Sequence, residues 1–210
     1  MLEKHLFIGA HPDDIEFGAG ASIAKSTSLG IDCHTLVFSD CRETLTDVND
    51  SPGKIISESV QALRCLGVQS KNMNWKAFPL RRFNEKRQEI LDVLIAEYRE
   101  IEWGRIYIPN TFDIHQDHTV TSQESIRAFK FTSLFGYELP WNNLHMDIKA
   151  FNPVNEEFVN KKIEALSKFN TQKDRFYSDE SKIRSVLEFR GLQIGMKYAE
   201  GFQLIRHIEK

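Results

Sequence analysis

The sequence has no long hydrophobic run. No apolar stretch is long enough to cross a bilayer as a helix, and residues 1–5 lead into a predicted strand without the hydrophobic segment of a secretory signal. These absences predict a protein with no integral membrane segment. We therefore expect a cytoplasmic location.

Cysteine is scarce as well. The three cysteines, Cys33, Cys41 and Cys65, are scattered along the chain and form no CxxC pair. This spacing argues against a disulfide framework. Cys65 falls on the apolar face of a predicted helix and is interpreted as a small core residue.

The chain also lacks an excess of charge of one sign. Its 27 basic and 30 acidic residues are intermixed and leave a net charge of -3. Such a balance provides no field for phosphate backbones, so we expect no nucleic-acid partner. With 210 residues, 41% of them hydrophobic, the chain is predicted to form a single domain over 1–210.

The most informative stretch is an apolar segment, 6–10, that ends at His11, Pro12, Asp13 and Asp14. The apolar segment predicts a buried strand, and ligands of open α/β sheets gather beyond the carboxyl ends of such strands. An imidazole and a carboxylate are common zinc donors, and the second carboxylate is available as a base. Taken alone, the segment is equally compatible with aspartates that cap the next helix.

The same design returns a hundred residues later. A predicted strand, 105–109, is closed by a proline and is soon followed by Asp113, His115, Asp117 and His118. A lone HxxH is more often surface or capping polarity than a metal site. Because the carboxyl ends of parallel strands share one edge of a sheet, the two clusters can meet there, and together they favour a metal-dependent active site.

Strand and helix patterns alternate along the first two thirds of the chain. This alternation predicts an α/β fold, a Rossmann-like, mainly parallel twisted sheet with helices on both faces, and short antiparallel additions in the C-terminal third. Two of those additions, 134–140 and 147–151, are predicted as edge strands because an edge tolerates Pro140. The stretch 73–79 is predicted to be irregular, and the last helix is predicted over 180–198. The polar stretch 43–53 is predicted to be a loop that can cover the site as a flap.

Two glycines follow the first cluster. Gly18 and Gly20 do not complete the GxGxxG fingerprint of dinucleotide-binding proteins, which disfavours an oxidoreductase of the Rossmann type. We interpret them as positions where a helix packs closely on the sheet.

At these motifs the sequence resembles the LmbE-like, or PIG-L, family of zinc-dependent N-deacetylases. The first family signature matches 10–14 together with Glu16, and the second, HxDH, matches 115–118. Further positions fall in the family's order and spacing: Glu58, Ala62, Pro109, Asn110, Tyr137, Glu138, Lys162, Thr171, Gln172, Arg190, Gly191, Tyr198, Ala199 and Glu200. The sequence departs from the family where an arginine often precedes Glu58, since Lys54 and Ile55 occupy that region.

The resemblance implies a role for each residue of the two clusters. It implies that His11, Asp14 and His118 hold one Zn2+ ion, that Asp13 is the general base, and that a protonated His115 stabilises the oxyanion. Asp113 or Asp117 is then expected to orient an imidazole. Two further candidates for substrate contacts are Arg42 and the variable stretch 131–145 with Trp141 and Asn142. A solvated loop position is the simpler interpretation of Arg42, and packing against the domain is the simpler interpretation of Trp141.

The reaction implied is removal of the N-acetyl group from an N-acetylglucosamine-type conjugate, a small-molecule substrate, with release of acetate and a free amine. A metal-dependent hydrolase of another amide or ester is the first alternative. A carbohydrate- or nucleotide-binding module with an idle metal is the second, and Asp13 and His115 argue against it because binding alone requires neither. A homo-oligomer is compatible with the sequence.

Overall fold

The computed structural model describes residues 3–42, 53–98 and 101–209. The predicted flap, 43–53, lies outside the described residues except for Gly53, which begins a helix. The strands are β1 Lys4–Gly9, β2 Asp32–Val37, β3 Met73–Trp75, β4 Arg105–Pro109, β5 Ser133–Tyr137, β6 Ile148–Val154 and β7 Tyr198–Arg206. The helices are α1 Asp14–Ser28, α2 Gly53–Cys65, α3 Arg87–Tyr98, α4 Gln116–Ala128, α5 Glu156–Leu166 and α6 Glu180–Leu192.

One seven-stranded sheet organises these elements, in the order β3-β2-β1-β4-β5-β7-β6. The strands from β3 to β5 run parallel to their neighbours, whereas β7 runs antiparallel to both β5 and β6. The α/β class, the mainly parallel sheet and the antiparallel additions are thereby confirmed. Because β1 and β4 are direct neighbours, their carboxyl ends lie side by side at one edge.

The apolar run of β1 packs on both faces of the sheet. Phe7 joins a core formed with α1, α2, α5 and α6, while Leu6 and Ile8 join a second core with α3 and α4. Successive side chains of a strand point to opposite faces, so a strand that is buried on both sides needs consecutive apolar residues. The run ends at Gly9 because the next residues turn toward the site.

Three predictions about elements were wrong. The strand predicted over 134–140 is β5, which lies between β4 and β7 rather than at an edge. Pro140 follows the end of that strand and removes none of its ladder hydrogen bonds. The irregular stretch contains the short edge strand β3, and the last helix ends at Leu192, six residues before its predicted end.

The helices of the described ranges are short, and the longest, α1, has 15 residues. None of the helices in the described ranges combines the length and the apolar character that crossing a bilayer requires.

Candidate metal centre and active site

The two predicted clusters meet beyond the adjacent ends of β1 and β4. His11 lies in the turn after β1, Asp14 is the first residue of α1, and His118 lies in the first turn of α4. All three residues are buried. The parallel pairing of β1 with β4 therefore brings together groups that are separated by 107 positions in the sequence.

Three donor atoms converge at this point. His11 Nδ1 is 3.1 Å from His118 Nε2. The Asp14 Oδ2 atom is 3.5 Å from His11 Nδ1 and 3.2 Å from His118 Nε2. Donors on one tetrahedral zinc, at bond lengths near 2.1 Å, are separated by about 3.4 Å. The spacing and the N, N, O donor set thus fit a single divalent metal.

Each of the two imidazoles is held by a carboxylate on its far side. The distance from His118 Nδ1 to Asp113 Oδ2 is 2.7 Å, and that from His11 Nε2 to Asp117 Oδ2 is 3.0 Å. Such a bond places the N–H on the far nitrogen and leaves the inner nitrogen with a lone pair for a metal. Both residues predicted to orient an imidazole lie in position to do so.

The protein raises the proton affinity of one imidazole and lowers that of the carboxylate beside it. Burial alone lowers the pKa of His118, but Asp14 and Asp113 outweigh it and raise that pKa to about 10. Burial alone raises the pKa of Asp14, but the charge of His118 and the bonds to both histidines hold it well below its usual value. Without a metal, His118 therefore holds a proton beside the Asp14 carboxylate, and a bound cation would replace that proton.

Asp13 has an unusual backbone conformation. It precedes α1 with φ at 92°, in the left-handed region that costs a residue other than glycine about 1–3 kcal/mol. Asp13 and Asp14 both line the cavity at the metal centre, and no hydrogen bond ties the Asp13 carboxylate to α1. Burial, followed by the charges of Asp14 and Glu16, raises the pKa of Asp13 well above its usual value. The Asp13 carboxyl group therefore binds a proton more tightly than an ordinary aspartate does.

His115 lies directly above His118. The two rings are stacked with centroids 4.6 Å apart. Burial and the positive charges of His118 and His11 lower the pKa of His115 to about 4, so the ring is neutral at pH 7, whereas the resemblance implied a protonated ring. Its Nδ1 accepts a hydrogen bond from the Asp117 N–H at 3.2 Å, so the hydrogen of the neutral ring lies on Nε2.

A second set of donors is present. One nitrogen from each of His11, His115 and His118 lies within 4.8 Å of the others. The donor atoms of the set with Asp14 lie closer together. In addition, His115 already uses its Nδ1 atom to accept a backbone hydrogen bond. We therefore favour the set with Asp14.

Comparisons with known proteins identify the family of this chain. The family model described as "PIG-L: GlcNAc-PI de-N-acetylase" matches residues 6–129, a range that contains both clusters. The chain belongs to the PIG-L family.

Two curated relatives and one solved structure extend the likeness. An Escherichia coli protein named uncharacterized deacetylase YaiS is 33% identical over 78% of this chain and 88% of its own. The diacetylchitobiose deacetylase of Thermococcus kodakarensis is 24% identical over 97% of this chain and 84% of its own. The N,N'-diacetylchitobiose deacetylase of Pyrococcus horikoshii has the same fold, with a TM-score of 0.79, 20% identity, and coverage of 97% of this chain and 84% of that one.

In this PIG-L protein the metal centre opens into a cavity of about 270 Å³. Trp141 and Asn142, from the stretch predicted to line an acceptor pocket, contribute to its wall. Sequence reasoning did not place Arg81, Arg175 and Tyr177 in the site, although they line the same cavity. Arg175 and Tyr177 lie in or beside short 3₁₀ turns, which have no periodicity that marks them in the sequence.

The structure places Arg42 differently from these residues. Its guanidinium binds the neighbouring Asp40 carboxylate, with Nε 3.0 Å from Oδ1 and 2.9 Å from Oδ2. Arg42 is not among the described residues that line the cavity. A substrate contact by Arg42 stays a prediction.

Proposed function

We propose that this protein is a metal-dependent N-deacetylase that hydrolyses the acetamido group of an amino-sugar derivative to acetate and a free amine. The observation that carries the proposal is the convergence of His11, Asp14 and His118 on one point, with donor atoms 3.1–3.5 Å apart, beside the carboxyl group of Asp13, which lines the same cavity. Membership of the PIG-L family supports it independently.

His11 Nδ1, Asp14 and His118 Nε2 would hold the metal, and zinc suits two nitrogens and one oxygen. Three protein ligands leave one position open, as catalytic zinc sites require. When bound, zinc supplies a Lewis acid and lowers the pKa of a water at that position to about 7. Asp113 and Asp117 keep both imidazoles in the orientation and tautomer that this role needs.

Asp13 moves the proton. Its carboxylate lines the cavity and accepts a proton from the water that attacks the acetamide carbon. Its raised pKa suits this step, because a base binds a proton more firmly as its pKa rises toward the working pH. The same carboxyl group then returns the proton to the nitrogen of the leaving amine.

His115 stabilises the negative charge that develops on the carbonyl oxygen. Because the ring is neutral at pH 7 with its hydrogen on Nε2, it donates a hydrogen bond without needing an extra proton. A donor of this kind that is fixed in place before the reaction is worth about 2.7–4 kcal/mol of transition-state stabilisation. The stacking of His115 on His118 and the bond from Asp117 fix the ring.

The sugar part of the substrate is proposed from the family alone. The matching family model is named for GlcNAc-PI, and a curated relative is named for diacetylchitobiose, both of which carry N-acetylglucosamine. We therefore propose an N-acetylglucosamine conjugate of small-molecule size.

Acetate release tests this proposal directly. The protein is stripped of metal, reloaded with zinc, and incubated with a panel of N-acetylglucosamine conjugates, simple acetate esters and unrelated acetanilides, and both acetate and new primary amine are measured. We expect stoichiometric acetate and amine from at least one sugar conjugate, loss on stripping, and recovery with zinc. Cleavage of esters or anilides without cleavage of any sugar conjugate would replace the proposal with a different hydrolase activity.

A further inference from the structure

A second cavity lies beside the metal centre. Its volume is about 330 Å³, which exceeds that of the cavity at the metal. Its walls are mostly aromatic and aliphatic side chains, among them Phe17, Phe176, Ile183, Val186 and Leu187. It lies where α1, α6 and β7 approach one another.

The two cavities share an aromatic wall. Trp141 and Tyr177 line both of them and are stacked on each other, with ring centroids 3.8 Å apart and planes 7° apart. The Phe17 ring meets both of these rings edge to face, at 5.1 Å from Trp141 and 5.4 Å from Tyr177. A ligand at the metal centre and a ligand in the second cavity would therefore touch the same two side chains.

The charged side chains that line the second cavity are already paired. Lys162 Nζ is 2.7 Å from Glu200 Oε1, and both side chains are buried. Glu138 is held by Arg190 at 2.6 Å. The Lys182 ammonium donates to the Phe176 carbonyl at 2.7 Å. Because no buried charge there needs a partner, the cavity favours a neutral, apolar ligand over an ion.

We propose that the second cavity is a subsite for an apolar substituent, an alkyl or aryl group, carried by the amino-sugar substrate whose acetamido group lies at the metal centre. This inference rests on the proposed function for the identity of the reacting group. It adds the class of substrate. A subsite of this kind favours glycosides with an apolar substituent over free sugars and over conjugates with polar substituents.

Burial of an alkyl chain in this cavity has a measurable consequence. Each methylene that leaves water strengthens binding about fourfold at room temperature. Phe176, whose side chain is 68% exposed at the cavity, is placed to cover part of such a chain. Affinity is therefore expected to rise with chain length until the cavity is filled.

A series of alkyl 2-acetamido-2-deoxy-β-glucosides, from methyl to hexyl, tests the subsite with the zinc-loaded protein. We expect KM for acetate release to fall at least tenfold from methyl to hexyl. Val186→Trp fills the cavity from α6 and should bring this ratio close to one. Val93→Trp is the matched control, because Val93 is a half-buried valine of α3 that packs against the other core, and it should keep the full ratio.

A second variant and a binding measurement separate the possible failures. Phe176→Ser alters an exposed residue and is expected to fold, so it serves if Val186→Trp does not; it should reduce the methyl-to-hexyl ratio severalfold. Equal KM values for methyl and hexyl glycosides, or a ratio that both variants leave intact, would overturn the subsite. If no glycoside releases acetate, the proposed deacetylation is wrong. Calorimetric titration then tests the subsite separately, by comparing the affinities for the hexyl and methyl glycosides.

Discussion

At Asp13 and Asp14, two neighbouring carboxylates of the same turn are driven to opposite proton affinities. Asp14 accepts the N–H groups of Ala10 and His11 at 3.1 Å and 2.8 Å and lies beside His118, so it stays ionised. Burial and the charge of Asp14 both disfavour ionisation of Asp13. Both residues lie in the turn where Asp13 has its left-handed φ.

This difference predicts distinct effects of substitution. Asp13→Asn should lower kcat by about 100- to 10,000-fold, because it removes the base while keeping the shape of the side chain. Metal content, measured by mass spectrometry of the purified protein, should stay near one ion per chain. Asp14→Ala should lose both metal and activity. If Asp13→Asn were folded but metal-free, Asp13 would be a ligand, and the roles proposed for the two residues would be exchanged.

The carboxylates behind the histidines give a second prediction. Asp113→Asn should weaken zinc affinity by about 10- to 100-fold, because the amide no longer holds His118 with a charged acceptor. Competition with a chromophoric chelator measures the affinity. Asp147→Asn, which alters an aspartate that is paired with the exposed Lys149, is the matched control and should bind zinc normally. Equal affinities in the two variants would show that the bond to Asp113 does not tune the metal.

At the scale of elements, α1 connects the site to the rest of the fold. Glu200 of β7 accepts the Ala21 N–H at 3.0 Å and the Ser22 N–H at 2.7 Å, and Lys162 of α5 donates to the Phe17 carbonyl at 2.5 Å. These backbone groups lie within α1, between one and about two turns after Asp14. The buried Lys162–Glu200 pair therefore fixes α1 against α5 and β7 and stabilises the end that carries Asp14, the proposed metal ligand.

Breaking this pair should destabilise the protein strongly. Lys162→Met leaves the Glu200 carboxylate buried without its cation, and loss of one partner of a buried pair costs about 3–5 kcal/mol. Lys161→Met, in the adjacent exposed pair with Glu157, should cost at most about 1 kcal/mol. Urea unfolding measures both. The double variant Lys162→Met/Glu200→Gln should recover part of the loss, and equal losses in the two single variants would contradict the role of the buried pair.

The two glycines of α1 give a graded prediction. A Cβ at Gly18 would lie 2.2 Å from Tyr137 Cδ2, and Tyr137 is fixed by its hydroxyl, which donates to the Ile8 carbonyl at 2.9 Å. Gly18→Ala should therefore cost about 1–3 kcal/mol of unfolding free energy, as overpacking does. A Cβ at Gly20 would lie 3.1 Å from Lys162 Cγ, a contact that a shift of a few tenths of an ångström relieves, so Gly20→Ala should cost much less than Gly18→Ala. Urea midpoints of the two variants test this, and equal midpoints would refute it.

Sequence reasoning succeeded where structure is set by local pattern. The run at 6–10 and the strand before Asn110 identified β1 and β4, and the polar residues after each strand identified the two halves of the site. It failed for β5, because the order of strands depends on pairings between distant segments that a local pattern does not encode. It missed Arg175 because a residue beside short 3₁₀ turns approaches the site only through the tertiary fold.

Over the whole molecule, the net charge is small but the metal centre concentrates ionisable groups. His118, with its pKa raised to about 10, and Glu16, with its pKa raised by burial to about 8, both bind protons more tightly in the folded chain than in the unfolded one. The pKa of His11 is raised as well, since Asp117 and Asp14 outweigh its burial. His115 has the opposite shift, but its effect falls between about pH 4 and the unfolded value of 6.5.

The sign of the pH dependence follows for the range from pH 7 to 9. A group whose folded pKa is raised contributes stability below its unfolded pKa and loses it as the pH rises through the folded pKa. The unfolding free energy of the metal-free protein should therefore fall over this range. The slope is up to about 1.4 kcal/mol per pH unit for each group that keeps its proton in the folded state after losing it in the unfolded state. Urea unfolding at pH 7, 8 and 9 measures the slope.

The stabilisation that zinc provides should increase with pH, whereas the stability of the metal-free protein decreases. Zinc has to displace the proton of His118, so its apparent affinity should rise with pH, and the gap in melting temperature between zinc-loaded and metal-free protein should widen from pH 7 to 9. His118→Gln, which lacks this titrating group, should show a shallower metal-free slope and almost no gap. A gap that stayed constant in the unaltered protein would mean that zinc does not compete with protons at these residues, and the proposed ligand set would be wrong.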